Sequence, residues 1–146
     1  MLSIPNSRLQ KGFTLVELMV TVAVAVILMS VAVPSYQSFV SKQKVSAGQA
    51  DLLALALSLD GHLLNNTTYP APVNGTSSLR SALPGWVPVQ GADFSYSLTQ
   101  VDNDAFPPMY ALHASGTSTA LSGCVITLTS SGTRTKSGCP GGDGAW

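Results

Sequence analysis

Apolar positions are spread unequally along this chain. Of the 21 residues at positions 13–33, 17 are apolar and Glu17 carries the single charge. At about 1.5 Å per residue such a run spans roughly 30 Å as a helix, enough to cross a bilayer once. After Ser35 the pattern becomes amphipathic. Val45, Leu52, Ala56, Leu59 and Leu63 form one stripe at three-to-four spacing, with Leu53, Leu57 and Leu64 beside it, while Lys42, Lys44, Asp51 and Asp60 supply much of the charge. Gly48 weakens a helix by about 1 kcal/mol relative to Ala without stopping it. The two patterns predict one long helix over residues 14–64, with residues 13–34 as a membrane-type half and 35–64 as an amphipathic continuation. Pro34 marks the junction. It removes the helical bond to the Ser30 carbonyl and clashes with that turn, which predicts a kink, with a simple helix stop as the competing reading.

Beyond position 64 the chain turns polar and irregular. Asn65-Asn66-Thr67-Thr68-Tyr69-Pro70 reads as a helix end, and residues 65–93 are rich in Pro, Gly, Ser and Asn, as in a long surface connection. Period-two alternation then begins. Phe94-Ser-Tyr96-Ser-Leu98-Thr, Met109-Tyr-Ala-Leu-His113 and Cys124-Val-Ile126-Thr-Leu128-Thr read as strands. A three- or four-stranded antiparallel sheet laid on the amphipathic half would bury the Leu stripe and one strand face together. The fold class expected is therefore α+β, a long N-terminal helix packed on a small antiparallel sheet, with residues 65–146 as the head.

Charge position changes this picture more than charge total. The 146 residues carry seven bases and seven acids, a neutral sum that argues against a strongly basic binder. Arg8 and Lys11 precede the apolar run without an acid, which by the positive-inside rule keeps the N-terminus cytoplasmic and sends everything after Pro34 across the membrane. In a bacterium that is the inner membrane, with the head in the periplasm or on the cell surface. A cleavable secretory signal would have a shorter apolar region and a small-x-small site after it, and Val33-Pro34-Ser35-Tyr36 is a poor one. Glu17 is the unusual residue: an ionised carboxylate in hydrocarbon costs a few kcal/mol and calls for a partner.

Lys11-Gly12-Phe13-Thr14-Leu15-Val16-Glu17 followed by an apolar stretch resembles the N-terminus of type IV pilins and of the related pseudopilins of type II secretion, and the resemblance extends over about the first forty residues, including Pro34 and Tyr36. It implies the pilin fold. It also implies that residues 1–12 are a leader removed by a prepilin peptidase between Gly12 and Phe13, and that the new amino group of Phe13 is methylated. Glu17 would then be the fifth mature residue and would pair, in a filament, with the Phe13 ammonium of a neighbouring subunit, serving register more than raw stability. The implied partners are that peptidase, other pilin subunits, the inner membrane and the pilus assembly machinery.

Cys124 and Cys139 are the only cysteines. In an oxidising periplasm they would close a loop of about 16 residues, contributing on the order of 3 kcal/mol. Free thiols or metal ligands are the competing reading, disfavoured by the absence of a matched histidine. The segment from Cys124 to Gly132-Thr-Arg134, with the terminal Trp146, is similar to the tails of certain minor pilins. A calcium site in the Asp102–Pro108 connection would need six to eight oxygens where two clustered carboxylates are visible, so a solvated turn is the simpler expectation. His62 stands alone, without a second ligand at metal spacing.

No catalytic constellation, phosphate loop or redox Cys-x-x-Cys is legible, so no enzyme, cofactor or metal is expected. The sequence reads as a structural subunit of a type IV pilus, a minor pilin, assembled into a filament serving motility, adhesion or DNA uptake. Two further readings stand beside it. In one, the head binds DNA through a local patch containing Arg134 and Lys136, with Lys42, Lys44 and Arg80 elsewhere; removal of the leader leaves five bases against seven acids, so only a local patch could serve. In the other, the chain is a secretion pseudopilin, which the N-terminus alone does not distinguish.

Overall fold

The computed structural model describes residues 12–146. Helix α1 covers Leu15–Asn66 and passes through Pro34 without ending there. The stop reading of Pro34 is thereby excluded. The chain divides into two compact units, the first ending at Gln37 and the second running Ser38–Trp146.

In the first unit nothing among the described residues covers the helix. An 18-residue window of mean hydropathy 2.5 has no buried residue, and side chains from Phe13 to Tyr36 such as Leu15, Leu18, Ile27 and Val31 are exposed. An apolar surface of this kind is stable in lipid or against other apolar helices, and not in water. The helix is thus a single membrane-anchoring segment by length and composition.

In the second unit α1 is the spine of a compact head. After it come β1 (Val73–Asn74), α2 (Thr76–Ala82), β2 (Phe94–Asp102), β3 (Met109–Gly116), β4 (Val125–Thr129), β5 (Arg134–Ser137) and β6 (Gly144–Ala145). Among the described residues these six strands form one antiparallel sheet in sequential order. The expectation of three or four strands is corrected to six, because β1 and β6 have two residues each, too few to show a period. The irregular reading of residues 65–93 likewise missed β1 and the seven-residue α2, which buries one large side chain, Leu79.

The core forms where β2, β3 and β4 set Phe94, Tyr96, Leu98, Leu112, Ala114, Ile126 and Leu128 on the face that meets α1. From the helix come Val45, Leu52, Leu55 and Leu59, with Ala56 and Leu63 partly buried. Leu53, Leu57 and Leu64 were expected beside this stripe, but they are exposed, because the apolar face of the helix is wider than the sheet that covers it. Gly48 has a specific use: a Cβ there would lie 3.0 Å from the Phe94 ring and 3.4 Å from Ile126. Its missing side chain lets the ring pack on the helix backbone, a gain set against the propensity cost noted above.

One charged residue of α1 lies inside the head. Asp51, counted in the sequence only among the charges of the amphipathic half, is buried. Its carboxylate accepts the Tyr96 hydroxyl at 2.7 Å and the backbone N–H groups of Val89 at 2.9 Å and Gln90 at 2.8 Å, while its carbonyl accepts the Trp86 indole N–H at 3.2 Å. A buried carboxylate with three donors is well accommodated. It fastens the segment from Trp86 to Gln90, otherwise without regular structure, to the helix. Burial and this carboxylate together push the Tyr96 phenol well above its ordinary range.

Candidate functional site

The N-terminal residues singled out by sequence lie at the start of α1. The leader at positions 1–11, with Arg8 and Lys11, lies outside the described residues; Gly12 and Phe13 immediately precede the helix and are exposed. Thr14 caps it. Its Oγ1 accepts the Glu17 N–H at 3.2 Å and its carbonyl accepts the Leu18 N–H at 3.2 Å. Thr14-x-x-Glu17 is therefore a capping-box pattern that sequence reasoning passed over, and Glu17 stands in the first turn, where the helix dipole favours a negative charge. The carboxylate is thus suited to the helix end by its position, while the apolar side chains around it stay uncovered within the chain.

In the head, Cys124 and Cys139 are joined in a disulfide. The bond ties the start of β4 to the tail that follows β5. Gly138 N–H donates to Asp143 at 2.7 Å and Gly142 N–H to the Cys139 carbonyl at 3.1 Å, so the tail is a compact turn. Trp146 donates its indole N–H to the Thr135 carbonyl at 3.1 Å, and the Arg134 guanidinium lies 5.3 Å from the centre of its ring. Arg134 and Lys136, two residues apart on β5, are opposite Leu128 and Ile126, which places both on the face that carries α1. Lys42 on α1 comes close to Lys136 there: a Cβ placed on Gly141 would lie 3.6 Å from the Lys42 stem and 3.8 Å from the Lys136 Nζ.

The remaining bases separate from this group. Lys44 donates to Asp93 at 2.8 Å, the single ion pair among the described residues, and that hydrogen bond holds the Asp93 carboxyl below its ordinary range. Arg80 is on α2, which packs with β1 and β2, whereas β5 lies toward the opposite edge of the sheet. The structure thus brings together Arg134, Lys136 and Lys42, adds Trp146, and leaves Lys44 and Arg80 apart. Trp146 was noted in the sequence only for tail resemblance; its stacking partner could not be read there, since no spacing rule links a terminal residue to a strand.

The other sequence candidates are structural. In the turn after β2, Asp102 accepts the N–H groups of Asp104 and Ala105 at 3.0 and 3.1 Å, as an ordinary Asx turn does. No group of three or more His, Cys, Asp or Glu suited to a metal occurs among the described residues. His113, half-buried on β3, shares a 3.1 Å hydrogen bond with Thr127, and burial lowers its pKa.

Comparison with known proteins adds to this geometry. Residues 7–33 match the model of the prokaryotic N-terminal methylation motif, and residues 34–137 match the model described as type IV minor pilin ComP, DNA uptake sequence receptor. Among similar curated proteins, the type II secretion system core protein G of Pseudomonas aeruginosa is 39% identical over 72 residues, covering 49% of this chain and 51% of that protein. The type IV major alpha-pilin of Moraxella bovis is 39% identical over 59 residues, 40% of this chain and 37% of that one. A fimbrial protein of Neisseria meningitidis is 42% identical over 74 residues, 49% of this chain and 41% of its own. In these matches the chain spans about half or less of the relative's length.

Proposed function

The chain belongs to the type IV minor pilin ComP family, and from that premise we propose that it is a minor subunit of a type IV pilus whose head binds DNA. The observation that carries the DNA reading is the convergence of Lys42, Lys136 and Arg134 beside Trp146 on one side of a head whose described region matches that family model nearly throughout. Ammonium groups on Lys42 and Lys136 neutralise phosphates, and the Arg134–Trp146 stack offers planar surfaces to bases. The whole chain after its leader carries −2, so binding rests on the local patch and is strongly salt-dependent. Titration of a labelled DNA duplex with the full chain in nonionic micelles tests this. Binding at low salt should fall steeply as salt rises, and Lys42→Ala with Lys136→Ala should reduce the slope of log affinity against log salt by about 2. Absence of binding at low salt would remove the DNA role and leave the filament role intact.

Assembly is proposed on separate grounds. A prepilin peptidase cleaves between Gly12 and Phe13, the Phe13 amino group is methylated, and the mature chain waits in the inner membrane with its head in the periplasm before the assembly machinery takes it into a filament. Glu17 pairs there with the Phe13 ammonium of a neighbouring subunit. The uncovered apolar surface of the first unit supports this reading, because it needs lipid or other subunits. Replacement Glu17→Ala should leave the head folded and reduce incorporation into sheared pili severely; normal incorporation would end the pairing argument. The likeness to core protein G favours a second reading, a secretion pseudopilin. Deleting the gene separates the two, since a pilin defect alters pili or transformation and a pseudopilin defect retains secreted proteins inside the cell.

A further inference from the structure

Away from the basic group, a cleft of about 520 Å³ opens between the end of α1, the turn joining β2 to β3, and the turn after β4. That volume falls in the range of about 300–1,000 Å³ of small-molecule sites. Its walls include Asp60, Tyr69, Phe106, Met109 and Tyr110. Tyr69 and Tyr110 meet edge to face with centroids 4.9 Å apart, and Phe106 and Met109 stand exposed at the rim.

Asp60 sets the chemistry. It is exposed and has no ion-pair partner among the described residues; the Tyr69 hydroxyl donates to it over a long 3.4 Å. Its field reaches both rings: burial first and then the Asp60 charge raise the Tyr69 phenol, and the same causes push Tyr110 up to about 12. A carboxylate beside aromatic faces attracts an organic cation. The available acceptors decide which kind. A primary ammonium needs partners for three N–H groups. Apart from Asp60 the cleft has the hydroxyls of Tyr69, Tyr110, Ser130 and Ser131; Tyr69 donates to Asp60, Ser130 accepts the Tyr110 N–H, and Ser131 is bonded with Thr129 and Thr133, so a primary ammonium would compete with bonds already made at three of the four. A quaternary ammonium needs no acceptor. No basic side chain lines the cleft to receive a phosphate, which favours a free cation over a zwitterionic headgroup.

We propose that this cleft binds a small free quaternary ammonium ion, with Tyr69, Tyr110 and Phe106 against its methyl groups and Asp60 balancing its charge. The test is an NMR titration of the full chain, methyl-labelled at methionine, in nonionic polyoxyethylene micelles, following the Met109 methyl signal. Choline should shift that signal saturably. The neutral isostere 3,3-dimethylbutan-1-ol and the zwitterion phosphocholine should each bind at least about tenfold more weakly, as expected if charge and aromatic faces act together. Asp60→Asn should cost about tenfold for choline and leave the neutral isostere unchanged, and Phe106→Ala, at a residue exposed to solvent, should weaken choline several-fold without affecting folding. Equal binding of choline and its isostere, equal binding of phosphocholine, or no saturable shift would each overturn the proposal. The DNA titration above is independent of every one of these outcomes.

Discussion

One helix serves two surroundings, and its two parts differ in where their apolar side chains go. In the first unit Leu15, Leu18, Ile27 and Val31 find no cover among the described residues. In the second, Leu52, Leu55 and Leu59 are fully buried under strands supplied by the same chain. The difference teaches that a helix can be complete in backbone hydrogen bonds and still be unfinished. The first part is finished by what surrounds the protein, the second by the protein itself.

Substitutions can break or sharpen that contrast. The largest effect on folding is expected at Asp51, where Ala would orphan the Tyr96 hydroxyl and two backbone N–H groups; the head should lose about 3–5 kcal/mol in denaturant unfolding of the full chain in micelles. Next, Leu55→Ala should cost about 3 kcal/mol by leaving a cavity, whereas Leu18→Ala, of the same chemistry on the uncovered part, should leave head unfolding unchanged. Equal costs at the two leucines would show that the halves are not energetically distinct. The smallest effect concerns acid. Because the Lys44 hydrogen bond lowers the Asp93 pKa from its ordinary value of 3.8, the pair stabilises the fold at neutral pH, and this contribution fades as pH falls from about 4 through the lowered value. Lys44→Met should therefore remove less than about 1 kcal/mol at pH 7 and nothing once Asp93 is protonated in both states, measured as thermal midpoints against pH.

How much of this was legible depended on the range of the interaction. The apolar run, the strand alternation at Phe94, Met109 and Cys124, and the cysteine pair are local or compositional signals, and they lead to the α+β arrangement. The burial of Asp51 was not legible because its partners lie 38 to 45 residues away, at Val89, Gln90 and Tyr96. Leu53, Leu57 and Leu64 were misplaced because periodicity gives the direction of an apolar face but not the width of what covers it. For the candidate DNA site, Arg134 and Lys136 are two residues apart in sequence and so visible; Lys42 and Trp146 join them only through the register of β5 and the closure of the tail. The capping role of Thr14 was readable in Thr14-x-x-Glu17, but attention to the acid as a membrane problem hid it.

The outermost strands carry a consequence for crowding. β1 and β6 are two residues each, so neither edge of the sheet offers a long row of free amides. Where β1 stops, neighbouring segments continue the blockade: Thr76 Oγ1 accepts the Tyr96 N–H at 3.2 Å and the Gln90 carbonyl accepts the Phe94 N–H at 2.9 Å. Sheet-bearing heads packed at high local concentration invite strand exchange between neighbours. Blunt edges at both sides keep each sheet closed to the next, so that neighbouring heads can stand shoulder to shoulder as separate bodies.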